Sequence, residues 1–121
     1  MKLKETCGLH AEAVSAAELM HGPLALAGAA FPVVIFSQRD AASASLAQLG
    51  AELVAAGVPV ISAGPAKIEG ALTLPTMNGI NPFAQPATLI QSFYPLAEGI
   101  ARARGHDPDR PPRLKKVTET R

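Results

Sequence analysis

FPVVIFSQRDAASASLAQLGAELVAAGVPVISAG, residues 31–64, is the stretch that decides the fold. It opens on FPVVIFS (31–37), a continuous apolar run rich in β-branched residues, and closes on a second such run, VPVISAG (58–64). Apolar runs without alternation mark strands buried on both faces, and such strands belong to parallel sheets. Between the two runs Leu46, Leu49, Leu53 and Val54 recur at helical spacing, with Asp40 as the candidate N-cap and Gly57 as the stop. Strand, helix and strand within about 34 residues form a βαβ unit, whose crossover is right-handed in almost every known case.

Working outward, ALTLP (71–75) reads as a third short strand and TMNGINPFAQP (76–86) as a Pro-, Gly- and Asn-rich connection. Leu89, Ile90, Phe93, Leu96 and Ile100 then mark one face of a helix running to about Arg104, with Gly105 ending it. Upstream, residues 2–20 carry Ala, Leu, Glu and Lys in helical proportions, with Gly8 as a weak point, which predicts one broken helix or two short ones. AAELMHGPLAL (16–26) stops that segment on His21, followed at once by Gly22 and Pro23. The remainder, HDPDRPPRLKKVTETR (106–121), holds three prolines and little apolar content and reads as an extended tail. The expected fold is α/β: a partial doubly wound, flavodoxin-like parallel sheet with flanking helices. Three parallel strands leave edges and faces that need cover, so the chain reads as part of something larger.

Composition narrows the functional classes. The 121 residues suit one domain, and an apolar share of 48% with only 4% aromatics implies a core of Ala, Leu, Val and Ile. A net charge of +1 argues against nucleic-acid and anionic-membrane partners, although basic residues do gather in RPPRLKK (110–116). The single cysteine, Cys7, permits no internal disulfide and fits a reducing compartment, where a small buried thiol is the expected role. MKLKETCG lacks the apolar core of a signal peptide, and PLALAGAAFPVVIF (23–36) is too short and too broken to span a bilayer. A cytoplasmic location is expected.

Metal chemistry has a weak signal in His10 and Glu12, an H-x-E pair like that of zinc deaminases, but the P-C-x-x-C element that such a site needs is missing. In a continuous helix His21 would lie about 16 Å of rise beyond His10, too far to complete a site. Neither G-x-G-x-x-G nor G-x-x-x-x-G-K occurs, and His106 sits in a turn-forming GHDPD. Three residues remain with chemistry to offer: Glu5, His21 and Lys116. Composition alone reads them as a surface helix residue, a helix-end histidine and a tail lysine.

Four segments carry a family resemblance: KLKE (2–5), HAEAVSAAELMHGPLAL (10–26), PVVIFS (32–37) and DPDRPPRLKKVTET (107–120). Together they resemble the C-terminal half of the last sugar isomerase (SIS) domain in aminosugar-phosphate enzymes. SIS-type glucosamine-6-phosphate deaminases are the most similar, followed by the isomerase half of glucosamine-fructose-6-phosphate aminotransferase. The resemblance implies a half SIS domain over 1–105 and a tail over 106–121 that closes on the active site.

The resemblance also implies roles. Glu5 falls on the glutamate that shuttles a proton between adjacent sugar carbons, work that suits a carboxylate of raised pKa. His21 falls on the histidine that assists ring opening and is delivered across a dimer interface. Lys116 falls on the tail lysine that engages the sugar carbonyl or its imine. In the deaminase reading, glucosamine 6-phosphate becomes fructose 6-phosphate and ammonia, with neither a metal nor an organic cofactor required. The family's Ser-, Thr- and Gly-rich phosphate loop belongs to the other half of the domain, because SQRDAASAS (37–45) follows the wrong strand. The expected partners are therefore a sugar phosphate and either a second copy or a missing N-terminal half. Met20 stands where the family commonly has a basic residue. A non-catalytic sugar-phosphate-binding module is the reading from outside enzymology.

Overall fold

The structure, a computed structural model, describes residues 1–77, 79 and 81–112. Two compact units are present among the described residues, one formed by residues 14–93 and the other by residues 1–13 with residues 94–112.

The larger unit is built on the βαβ segment. Strand β1 (Val33–Phe36) leads through helix α3 (Ser43–Ala55) to strand β2 (Val60–Ala63). The two strands are parallel, in register from Val33 opposite Val60 to Phe36 opposite Ala63. A two-residue strand, β3 (Leu72–Thr73), adds to the other side of β2, again parallel, so the order is β1-β2-β3. Three of the four residues of β2 are buried, whereas both residues of β3 are exposed. Burial on both faces thus belongs to the central strand; β1 has it only in part and β3 not at all.

Ile35, Leu49, Leu53, Val58, Val60 and Ile68 form the core of this unit, with Leu46, Val54 and Ala71 packed against it. Burying each such side chain stabilises the fold by about 1.5–3 kcal/mol. Gly50 allows α3 to approach closely, because a Cβ there would lie 2.3 Å from Ile68 Cδ1. Phe36 meets Phe93 edge-on, with ring centroids 5.7 Å apart.

Asp40 does not cap α3. Its Oδ1 accepts the Ala42 N–H at 2.9 Å, closing a turn ahead of the helix, and the N-cap is Ala42, which makes no side-chain cap bond. An aspartate satisfies the backbone two residues on as readily as a helix end, and here the turn takes it.

The amino-terminal residues form two short helices, α1 (Lys2–Cys7) and α2 (Ala16–Met20). Gly8 ends α1 in the left-handed conformation, at φ 61°. A 3-10 turn, Pro23–Leu26, follows α2.

Helix α4 (Gln85–Ala103) starts four residues ahead of its first core-facing leucine, Leu89, since Pro86 fits the first turn of a helix. Pro95 within it brings no N–H, so the helix gives up one backbone bond there. The Gly105 N–H bonds to the Arg102 carbonyl and the His106 N–H to that of Ala101, which closes the helix end. Beyond it, Asp107 accepts the Asp109 N–H on Oδ1 at 3.0 Å and the Arg110 N–H on its carbonyl at 3.1 Å. The extended tail expected after this turn lies outside the described residues. No described helix is long and apolar enough to cross a membrane.

Candidate functional site

Glu5 lies on α1 and is half-buried. The turn that carries it is tied down on both sides. Thr6 Oγ1 donates to the Lys2 carbonyl at 2.9 Å, the Cys7 thiol donates to the Ala97 carbonyl at 3.2 Å, and Arg104 Nε donates to the Cys7 carbonyl at 2.8 Å. Cys7 is wholly buried, a packed thiol in keeping with its expected role. Six residues therefore hold as a helix that is far too short to persist alone, since isolated helices of fewer than about 12–15 residues are marginal in water.

His21 is the C-cap of α2 and is exposed. Its Nδ1 lies 2.6 Å from the Ala17 carbonyl oxygen, and its backbone N–H bonds to the Glu18 carbonyl at 3.2 Å. At the other end of α2 a capping box is complete. The Ser15 hydroxyl oxygen accepts the Glu18 N–H at 3.2 Å, and Glu18 Oε2 accepts the Ser15 N–H at 2.7 Å and its hydroxyl at 2.8 Å. These bonds hold the Glu18 carboxyl below the usual carboxylate range, the Ser15 backbone N–H contributing most and the hydroxyl next. After His21, Pro23 opens the 3-10 turn, in which the Ala25 N–H bonds to the Gly22 carbonyl. The histidine thus sits between a capped helix and a proline-started turn, with both flanks defined.

Glu5 and His21 belong to different compact units. Lys116, the third expected residue, lies outside the described residues. His10 and Glu12 do approach, Nε2 to Oε1 at 3.8 Å, with Lys4 Nζ 4.0 Å from the same oxygen. Among the described residues no third ligand joins them in a group able to hold a metal ion.

The apolar cleft below the 3-10 turn, about 170 Å³, is lined by Leu24, Ala27, Leu49, Leu53, Ala56 and Val58, with Glu52. Its lining suits side-chain packing and not a phosphate. The structure adds Ser15 and Glu18, whose S-x-x-E spacing is a helix-start signal that the sequence already carried.

An open parallel sheet in the order β1-β2-β3 with flanking helices defines an α/β protein. Residues 1–63 match the family model described as SIS domain, and the chain belongs to that family. Among curated relatives it is 37% identical to the glutamine–fructose-6-phosphate aminotransferase (isomerizing) of Pyrobaculum aerophilum, covering 97% of this chain and 20% of that protein. It is 34% identical to the enzyme of the same name from Aeropyrum pernix, with the same shares covered. Two solved structures superpose with a TM-score of 0.76 over 88% of this chain. One is a candidate phosphosugar isomerase from Silicibacter pomeroyi DSS-3, 39% identical, with 32% of its chain covered. The other is the C-terminal domain of glucosamine-fructose-6-phosphate aminotransferase from Francisella tularensis, 27% identical, with 31% covered. The chain spans about a fifth of the length of the curated relatives it matches.

Proposed function

We propose that this chain carries the ring-opening and proton-transfer groups of an SIS isomerase domain in a protein of the glutamine–fructose-6-phosphate aminotransferase type. The observation that carries this reading is the match of 97% of the chain, at 37% identity, to an isomerizing aminotransferase. It favours the isomerase half over the deaminase that the sequence motifs first suggest. In this reading His21 passes a proton at the ring, and Glu5 moves one between adjacent sugar carbons. Lys116 engages the carbonyl, and the phosphate is held by residues from outside this chain. A second copy or another part of a longer polypeptide would complete the site. The free thiol of Cys7 fits a reducing, cytoplasmic location.

The test is to incubate the purified protein in heavy water with fructose 6-phosphate and, separately, with glucosamine 6-phosphate. Solvent deuterium appearing at C1 or C2 of the first sugar, and lost in Glu5→Gln, supports isomerase chemistry. Ammonia released from the second sugar, with the same dependence on Glu5, returns the reading to a deaminase. Neither deuterium nor ammonia, together with calorimetric binding of sugar phosphate, marks a binding module.

A further inference from the structure

We infer that the neutral His21 imidazole is held as its Nδ1–H tautomer by the Ala17 carbonyl, so that Nε2 is the atom available for proton transfer, and that Ser15 and Glu18 are positioning residues for it. Its catalytic half rests on the isomerase reading above, whereas its structural half does not.

A carbonyl oxygen has no proton to give. At 2.6 Å from Ala17 O, Nδ1 must carry the hydrogen, and in a neutral ring Nε2 is then bare. The Ala17 carbonyl is free for this because α2 tightens at its end. The His21 N–H, which an α-helix would direct to residue 17, bonds instead to the Glu18 carbonyl. The vacancy on Ala17 is filled by the side chain of the residue whose backbone left it.

The direction of that carbonyl depends on helical φ/ψ in a five-residue helix with no fully buried side chain. Packing contributes only through Ala16 and Leu19, which lie partly buried against the core. Ser15 and Glu18 bracket Ala17, and their reciprocal bonds fix the backbone on both sides of it. With Nε2 bare, ring opening balances without an added reactant. Nε2 takes the proton of the anomeric hydroxyl as the carbonyl forms and the bond from the anomeric carbon to the ring oxygen breaks. The ring oxygen then receives that proton from Nε2.

The experiment is nitrogen-15 NMR of the histidine rings in the whole protein, at a pH where they are neutral, with His21 assigned by His21→Gln. The expected signature is a pyrrole-type Nδ1 and a pyridine-type Nε2. In Ser15→Ala the two resonances should move toward each other as tautomers mix, and Ser15→Thr should restore them. A pyridine-type Nδ1 overturns the tautomer, and an unchanged pattern in a folded Ser15→Ala overturns the role of Ser15. Should Ser15→Ala fail to fold, Glu18→Ala, which removes the acceptor of the Ser15 N–H and keeps the Ser15 hydroxyl as a cap, makes the same test. No substrate enters these spectra, so a correct tautomer with turnover indifferent to His21→Gln would sink the functional reading and leave the tautomer standing.

Discussion

Ser37, just beyond the end of β1, accepts the backbone N–H of Ala66 on its Oγ at 2.9 Å, across 29 residues of sequence and with its side chain wholly out of solvent. The bond joins the carboxyl end of one strand to the loop leaving the next. Ser62 supports the same loop by donating to the Ala66 carbonyl at 3.2 Å. Ser37→Ala leaves a buried N–H without a partner, at a cost of about 1–3 kcal/mol. A matching loss in urea unfolding free energy, with no change in slope, is the expected result.

Gly64 faces the same serine. Its φ is 115°, and a Cβ there would stand 2.1 Å from the Ser37 carbonyl oxygen, a backbone atom with little room to yield. Gly64→Ala is expected to cost more than Ser37→Ala, because positive-φ strain of about 1–3 kcal/mol adds to the clash. Thermal unfolding of the two variants side by side checks the order.

Gly50 sets helix propensity against packing. Replacing a helical glycine with alanine favours the helix by about 1 kcal/mol. Here the new methyl would enter the space of Ile68, whose Cδ1, Cγ1 and Cγ2 lie 2.3, 2.8 and 3.1 Å from it. Overpacking of this kind costs about 1–3 kcal/mol, so Gly50→Ala is expected to destabilise the protein. Adding Ile68→Val removes the nearest carbon and should recover part of the loss. A double-mutant cycle by chemical denaturation measures the coupling.

Glu18 gives the capping box a pH dependence of definite sign. Its carboxyl is held below the usual carboxylate range, so the ionised form is favoured by the folded helix. Stability from that preference is present above the ordinary value and is lost as pH falls through the lowered one. Carbon-13 titration of the Glu18 carboxyl should give a midpoint below that of an exposed glutamate with no hydrogen-bond partner. Ser15→Ala should move it part of the way back, since the backbone N–H of residue 15 remains.

Cys7 should be silent to thiol reagents in the native protein. With no exposed surface and its hydrogen donated to Ala97, it can react only when α1 opens. Labelling at a rate independent of reagent concentration, once the reagent is in excess, is the expected kinetics. Prompt second-order labelling would mean that α1 is already open.

Non-alternating apolar runs at 31–37 and 58–64, with leucines at helical spacing between them, were enough to identify a parallel βαβ unit, because each pattern is local and each is dictated by which side of a single element faces water. The break at Gly8 and the stops at Gly57 and Gly105 were legible for the same reason. Element ends were less so. The strands pair over four residues within runs of seven, and β3 over two, since pairing depends on the neighbour's length as well as on the strand's own residues.

Glu5 and His21 became candidates through motif resemblance, but their surroundings could not be read from it. That Ser37 would serve Ala66 and that Gly50 would meet Ile68 were decided by the tertiary structure alone, whereas Asp40 closing a turn and the Ala17 carbonyl meeting His21 are local choices among several backbone groups in reach. A polar side chain has several backbone groups within reach, and the one it takes depends on where the folded chain places the others. Sequence periodicity therefore determined the elements and their order, and the bonds that place His21 are local to its own helix, while those that tie down the turn of Glu5, from Cys7 to Ala97 and from Arg104 to Cys7, were settled only when distant segments came together.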